Sequence, residues 1–169
     1  MRKKLFILML MLATVVAVQA QSLTGKMWAA DMSEPGMPNV HLVLMFEDGG
    51  NYTMTVLAEQ PIEDKVKLLI TFISLGTYKV DGEVLNGKLN GSKAQLDFDI
   101  EAPGVDASTL KMMKGMLLSE VGKQKEEMKK SMLEELPKLE NMTITTLTES
   151  KLVLTEKNGS TVEFAAVKE

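Results

Sequence analysis

The chain has 169 residues, a hydrophobic fraction of 45%, a formal net charge of −4 and no cysteine. Without cysteine there are no disulfides, no thiol nucleophile, no cysteine-based metal centre and no lipid-modified N-terminal cysteine, which excludes a lipoprotein. The acidic balance offers no basic stripe for phosphate contacts, which argues against nucleic acid and against electrostatic attachment to anionic membranes.

Residues 1–20 read as a cleaved signal peptide. Arg2, Lys3 and Lys4 form its basic start, an apolar run follows from Leu5 to Val18, and Ala20 precedes the expected cleavage. The run is shorter than the roughly 20 residues a membrane span needs, and no later segment approaches that length, so the mature chain is expected to have no integral membrane segment. Cleavage removes three of the 19 basic residues and leaves 16 against 23 acidic ones, a net charge of −7. The reading predicts an exported protein, periplasmic or extracellular, whose residues 21–169 form one domain.

The mature chain opens with a strand pattern. Lys26–Met32 is followed by the loop Ser33–Asn39, whose two prolines and glycine block regular structure. In Val40–Glu47, Leu42, Leu44 and Phe46 share one face. Asp48-Gly49-Gly50-Asn51 then turns the chain into Tyr52–Glu59, where Tyr52, Met54 and Val56 alternate with polar positions. Lys65–Phe72 places Val66, Leu68, Ile70 and Phe72 together. Gly76–Val80 and Val84–Leu89 flank Asp81-Gly82, a two-residue hairpin signal. In Lys93–Glu101, Leu96, Phe98 and Ile100 face one way and Asp97 and Asp99 the other. The period then changes, and strands return at Met142–Leu147, Lys151–Thr155 and Thr161–Val167.

Between about 106 and 136 the chain reads as a long amphipathic helix. Asp106 or Ser108 can cap it, and Leu110, Met113, Leu117, Val121, Met128, Met132 and Leu136 form its stripe. Pro137 ends it. Gly115 and Gly122 weaken it, and a break near Gly122 is expected. The Leu110–Val121 half is apolar around most of its circumference and is expected to pack on the barrel. The charged Lys123–Glu135 half is expected to be solvated. Tight turns at close spacing, one apolar face per strand and a helical insertion define the expected fold. It is mainly β, an antiparallel up-and-down barrel of about eight to ten strands.

Catalytic chemistry is poorly supplied. His41 is the single histidine, and no Gly-x-Ser-x-Gly elbow accompanies it. The expected role of His41 is structural or exposed. Asp97 and Asp99 lie opposite an apolar face and read as solvated acids rather than a hydrolytic pair. Met112, Met113 and Met116 have spacing that a soft metal could use, but leucines interleave them, and packing explains them better. The sequence predicts no enzyme, no cofactor and no metal site.

Leu23-Thr24-Gly25-Lys26-Met27-Trp28, then Met45-Phe46-Glu47-Asp48-Gly49-Gly50-Asn51-Tyr52-Thr53-Met54, resemble bacterial secreted lipocalin-like proteins. So do Leu147-Thr148-Glu149-Ser150-Lys151-Leu152-Val153-Leu154 and Gly159-Ser160-Thr161-Val162-Glu163-Phe164. The chain departs from that pattern in its Gly25-x-x-Trp28 spacing and in its long, early helix. The resemblance implies a calycin-type barrel and binding of a small apolar ligand or lipid. Candidate lining residues at the barrel mouth are Trp28, Leu44, Phe46, Tyr52, Met54, Leu68, Ile70, Phe98, Met113 and Leu117. The alternative expectation is an interaction module that docks an unspecified protein partner through the Met-rich helix.

Overall fold

The computed structural model describes residues 23–32, 39–63 and 65–167. The predicted signal peptide and the 33–38 part of the Ser33–Asn39 loop lie outside the described residues. The alternating segments become strands in the expected order. Strand β1 (Met27–Asp31) pairs with β2 (Asn39–Glu47), with Trp28 opposite Leu44. β2 turns through 48–50 into β3 (Asn51–Glu63), with Phe46 opposite Tyr52. β3 pairs with β4 (Val66–Asp81) from Asn51–Thr77 to Glu63–Val66.

The second edge of β4 carries two partners in succession. β5 (Val84–Leu89) pairs with Gly76–Asp81, and β6 (Gln95–Glu101) pairs with Lys67–Ile73. The two are effectively one strand interrupted by a 3-10 turn, Gly91–Lys93, which Asn90 caps by accepting from the Ser92 backbone N–H. Helices α1 (Ala107–Gly122) and α2 (Lys125–Glu135) follow, then β7 (Met142–Leu147), β8 (Lys151–Thr155) and β9 (Thr161–Ala166). β7 meets β5 through only two residue pairs, Val84–Thr143 and Leu85–Met142. β9 returns to β1 through Trp28–Ala166 and Ala29–Ala165 and closes the sheet. The result is the expected lipocalin-like architecture, a closed antiparallel barrel of eight strands plus the extra strand β6 and two helices. Among the described residues no helix is long and apolar enough to cross a membrane.

Besides β3, which runs past the expected Glu59 to Glu63, two boundaries differ from expectation. Lys65–Phe72 and Gly76–Val80 fuse into the 16-residue β4. Phe72, Ser74, Gly76 and Tyr78 keep inward alternation through the join, but Ser74 and Gly76 are too small to register as an apolar face. At the other boundary, the strand predicted from Lys93 begins at Gln95, because Asn90–Lys93 is taken by the 3-10 turn.

Aromatic rings fill the barrel end beside the β2–β3 turn. Phe46 stacks on Tyr52 at 5.8 Å and meets Tyr78 edge-on at 4.9 Å. Trp28 donates from Nε1 to the Leu23 carbonyl at 3.0 Å, so both of its characters, apolar body and polar handle, are satisfied inside the core. Tyr52 lies across Gly76, where the barrel has no side chain of its own to offer, and burial pushes its phenol up to about 12.

The helical insertion breaks where expected, between Gly122 and Lys125; its first half packs on the barrel as expected, the second half packs there too through a narrow stripe, and neither has a fully buried residue. Met128, Met132, Leu133 and Leu136, in and just after α2, pack against the main core. α1 sets Leu110, Met113 and Leu117 on a smaller cluster of Val66, Ile100 and Ala102, and leaves Met112, Met116 and Leu118 exposed at 62%, 68% and 53%. The reason is the sheet. Among the described residues β6 has no strand on its outer edge, whereas beside β5 the Leu139–Ile144 segment closes the wall, with Gly87 N–H bonded to the Leu139 carbonyl and Ile144 N–H to that of Glu83. α2 covers the β6 edge with a narrow apolar stripe; most of its charges face solvent, and Lys125 reaches back to Asp97.

The tight fit at Gly76 can be measured. A methyl group there would fall on the Tyr52 ring and 2.7 Å from the Lys88 carbonyl oxygen. Gly76→Ala is expected to lower unfolding free energy by about 1–3 kcal/mol in urea melts. Gly122→Ala, whose methyl meets open space, should leave stability unchanged or raise it by less than about 1 kcal/mol.

Candidate ligand site at the barrel mouth

The ten residues expected to line a site fall into two groups along the barrel axis. Trp28, Leu44, Phe46, Tyr52 and Met54 are fully buried and pack with Leu42, Phe72, Leu154 and Phe164 in one cluster. They form the closed half of the barrel. Leu68, Ile70, Phe98, Met113 and Leu117 are only half-buried, and they lie toward the other end. Register sets Ile70 opposite Phe98 and Leu68 opposite Ile100 on the inner face of β4 and β6. Met113 and Leu117 come down from α1 onto Ile100 and Val66. This second group is an apolar mouth roofed by a helix.

Leu110, Val66, Ile100 and Val105 belong to the same patch and were not among the ten. Their signals were present: Leu110 begins the 110, 113, 117 helical spacing, and Ile100 ends the Leu96, Phe98 alternation.

Polar ties hold the roof. Lys114 of α1 pairs with Asp99, and Lys125 of α2 pairs with Asp97 at 3.3 Å. The two aspartates expected to be merely solvated therefore fix where the helices meet β6. The Lys114 hydrogen bond, aided by the Ile100 backbone N–H at 2.8 Å, holds the Asp99 carboxyl below its ordinary range. Of the two cap candidates, Asp106 takes the position. Its carboxylate accepts from the Ser108 and Thr109 hydroxyls and from both of their backbone N–H groups, which lowers its pKa strongly. The contributions of both carboxylates are complete above the ordinary carboxyl range and disappear as pH falls through their depressed values. Exposed pairs of this kind fix position more than they add stability. His41 pairs with Asp31, and both side chains are exposed.

A second concavity, of about 610 Å³, lies on the outer wall where β5 gives way to the 3-10 turn. Its rim is polar, with Glu47, Asn51, Thr77, Lys88, Asn90 and Lys93, and Tyr52 is the only one of the ten expected residues that reaches it. Sequence reading missed this cleft.

Ser74 is the one buried polar side chain, and its hydroxyl has no hydrogen-bond partner among the described residues. It points inward from β4, opposite Met54 and between the aromatic floor and the mouth. A stranded hydroxyl costs more than the methyl group that could replace it. Ser74→Ala is therefore expected to raise unfolding free energy by about 1 kcal/mol, read from the shift in urea midpoint.

A scan against protein-family models finds none that matches this chain, and a search of curated proteins finds no match.

Proposed function

We propose that this is an exported lipocalin-like binding protein, not an enzyme, that holds a small apolar molecule or lipid tail at the barrel mouth beneath α1. One observation carries the reading: Leu68, Ile70 and Phe98 on the inner face of β4 and β6, and Met113 and Leu117 on the helix that crosses Val66 and Ile100, all stay only half-buried. Fully packed core residues have nothing left to offer a ligand, whereas half-buried apolar groups gain from one. The helix above them is lightly held. None of its residues is buried, its apolar contacts form a small cluster apart from the main core, and its ion-pair tie to β6 is the single exposed pair Lys114–Asp99. Methionine at the contact adapts to a variable apolar shape. The signal-like start of the chain and the motifs shared with secreted lipocalin-like proteins support the same reading.

A second reading has its own observation. Met112 and Met116, one turn apart, form an exposed apolar strip on α1, and Leu118 is exposed on its other flank. Such a face suits docking of a protein partner.

Two variants separate these readings. Leu117→Asp alters the mouth, and the double variant Met112→Ser with Met116→Ser alters only the outer face. Native mass spectrometry of protein from its own host, followed by titration with a fluorescent fatty acid, should give one bound apolar molecule per chain. Leu117→Asp should weaken binding by about tenfold or more, with an unchanged circular dichroism spectrum. The double variant should bind as the parent does. A parent protein that carries no apolar molecule and does not bind the fatty acid would sink the ligand reading. Loss of a co-purifying protein in the double variant alone would favour docking.

A further inference from the structure

The outer-wall cleft has a charge arrangement that a solvated surface does not require. Register sets Glu47 opposite Asn51, Asn51 opposite Thr77 and Thr77 opposite Lys88, one row across β2, β3, β4 and β5. Each of the four alternates with inward neighbours, so the row faces out. Strands about 4.8 Å apart put roughly 14 Å between the ends of the row, too far for Glu47 and Lys88 to pair. The 3-10 turn brings Lys93 to the Lys88 end of the cleft. Among the described residues, none of the three charged groups has an ion-pair partner.

The space between the poles is neither dry nor wholly polar. Asn51 and Thr77 supply amide and hydroxyl groups, and Leu75, 43% exposed, supplies an apolar step in the floor. Asn90 spends its side-chain oxygen on Ser92, which leaves its amide N–H groups for another acceptor. A free carboxylate at one end and two free ammonium groups at the other complement a ligand charged oppositely at its two ends. The span equals about four extended residues. The geometry points to a short unblocked peptide lying across these strands, its α-amino group at Glu47 and its terminal carboxylate between Lys88 and Lys93. The polar groups of the row then face the peptide backbone, and Leu75 takes one of its side chains. This site is on the outer wall and does not depend on the reading of the mouth.

The test is an NMR titration of the full mature chain with an unblocked tetrapeptide of alanine and leucine, at low salt. Shifts should centre on Asn51, Leu75, Thr77 and Asn90. N-terminal acetylation of the peptide, C-terminal amidation, Glu47→Gln and the double variant Lys88→Gln with Lys93→Gln should each weaken binding by about tenfold. Added salt should weaken it further. All three positions are exposed, so unchanged melting curves confirm that the variants are folded. No shifts at millimolar peptide would overturn the proposal. So would an acetylated peptide that binds as well as the free one, since the Glu47 pole would then be idle. Equal binding by the lysine double variant would overturn it too.

Discussion

The closure between β5 and β7 governs the rest of this molecule. Val84–Thr143 and Leu85–Met142 pair the two strands, and bonds from Ile144 to Glu83, Gly87 to Leu139 and Asn141 to the Asn86 side chain extend the seam to the end of β5, while its continuation, β6, stays on β4. That geometry leaves the outer edge of β6 with backbone groups that no strand satisfies. An open edge of this kind exposes the core and invites pairing with other chains. The helical insertion enters the chain directly after β6 and rejoins it at β7, so it arrives where the wall is incomplete. α2 then rests a narrow apolar stripe on the main core although most of its residues are charged, and α1 lies on the smaller cluster of Val66, Ile100 and Ala102.

This division of labour separates a rigid half from a soft one. At the closed end Trp28, Phe46, Tyr52 and Tyr78 interlock around Gly76, with hydrogen bonds from Trp28 to Leu23 and from Tyr78 to Glu47. Methyl-sized changes are felt in such packing. At the open end apolar side chains remain partly exposed, and the helix above them rests on a small cluster with the single exposed pair Lys114–Asp99 at its border.

Much of this was legible in the sequence because alternation and turn chemistry are local. The Asp48-Gly49-Gly50 turn, the inward faces of β2, β3 and β6, and the helix break near Gly122 follow from residues that sit beside one another. Depth along the barrel axis is not local. Phe46 and Phe98 carry the same inward signal, yet one lies in the floor and the other at the mouth, because shear and strand length decide their level. The packing of the second helix half is not legible from composition, because direction decides it. Lys125–Glu135 is rich in charge, and its narrow stripe of Met128, Met132 and Leu133 counts for more than its total when the open edge of β6 faces it. The outer cleft was invisible for a similar reason. Glu47, Lys88 and Lys93 come to line one cleft only through the register of four strands and the 3-10 turn that follows β5.

Hydrogen exchange of the full chain, followed by mass spectrometry, tests most directly whether α2 completes the barrel while α1 only covers it. Amides of β1 to β4 should exchange slowest, those of α2 should approach them, and those of α1 should exchange well before either. If α1 is as protected as the barrel strands and α2 exchanges freely, the division between a structural helix and a movable cover is wrong.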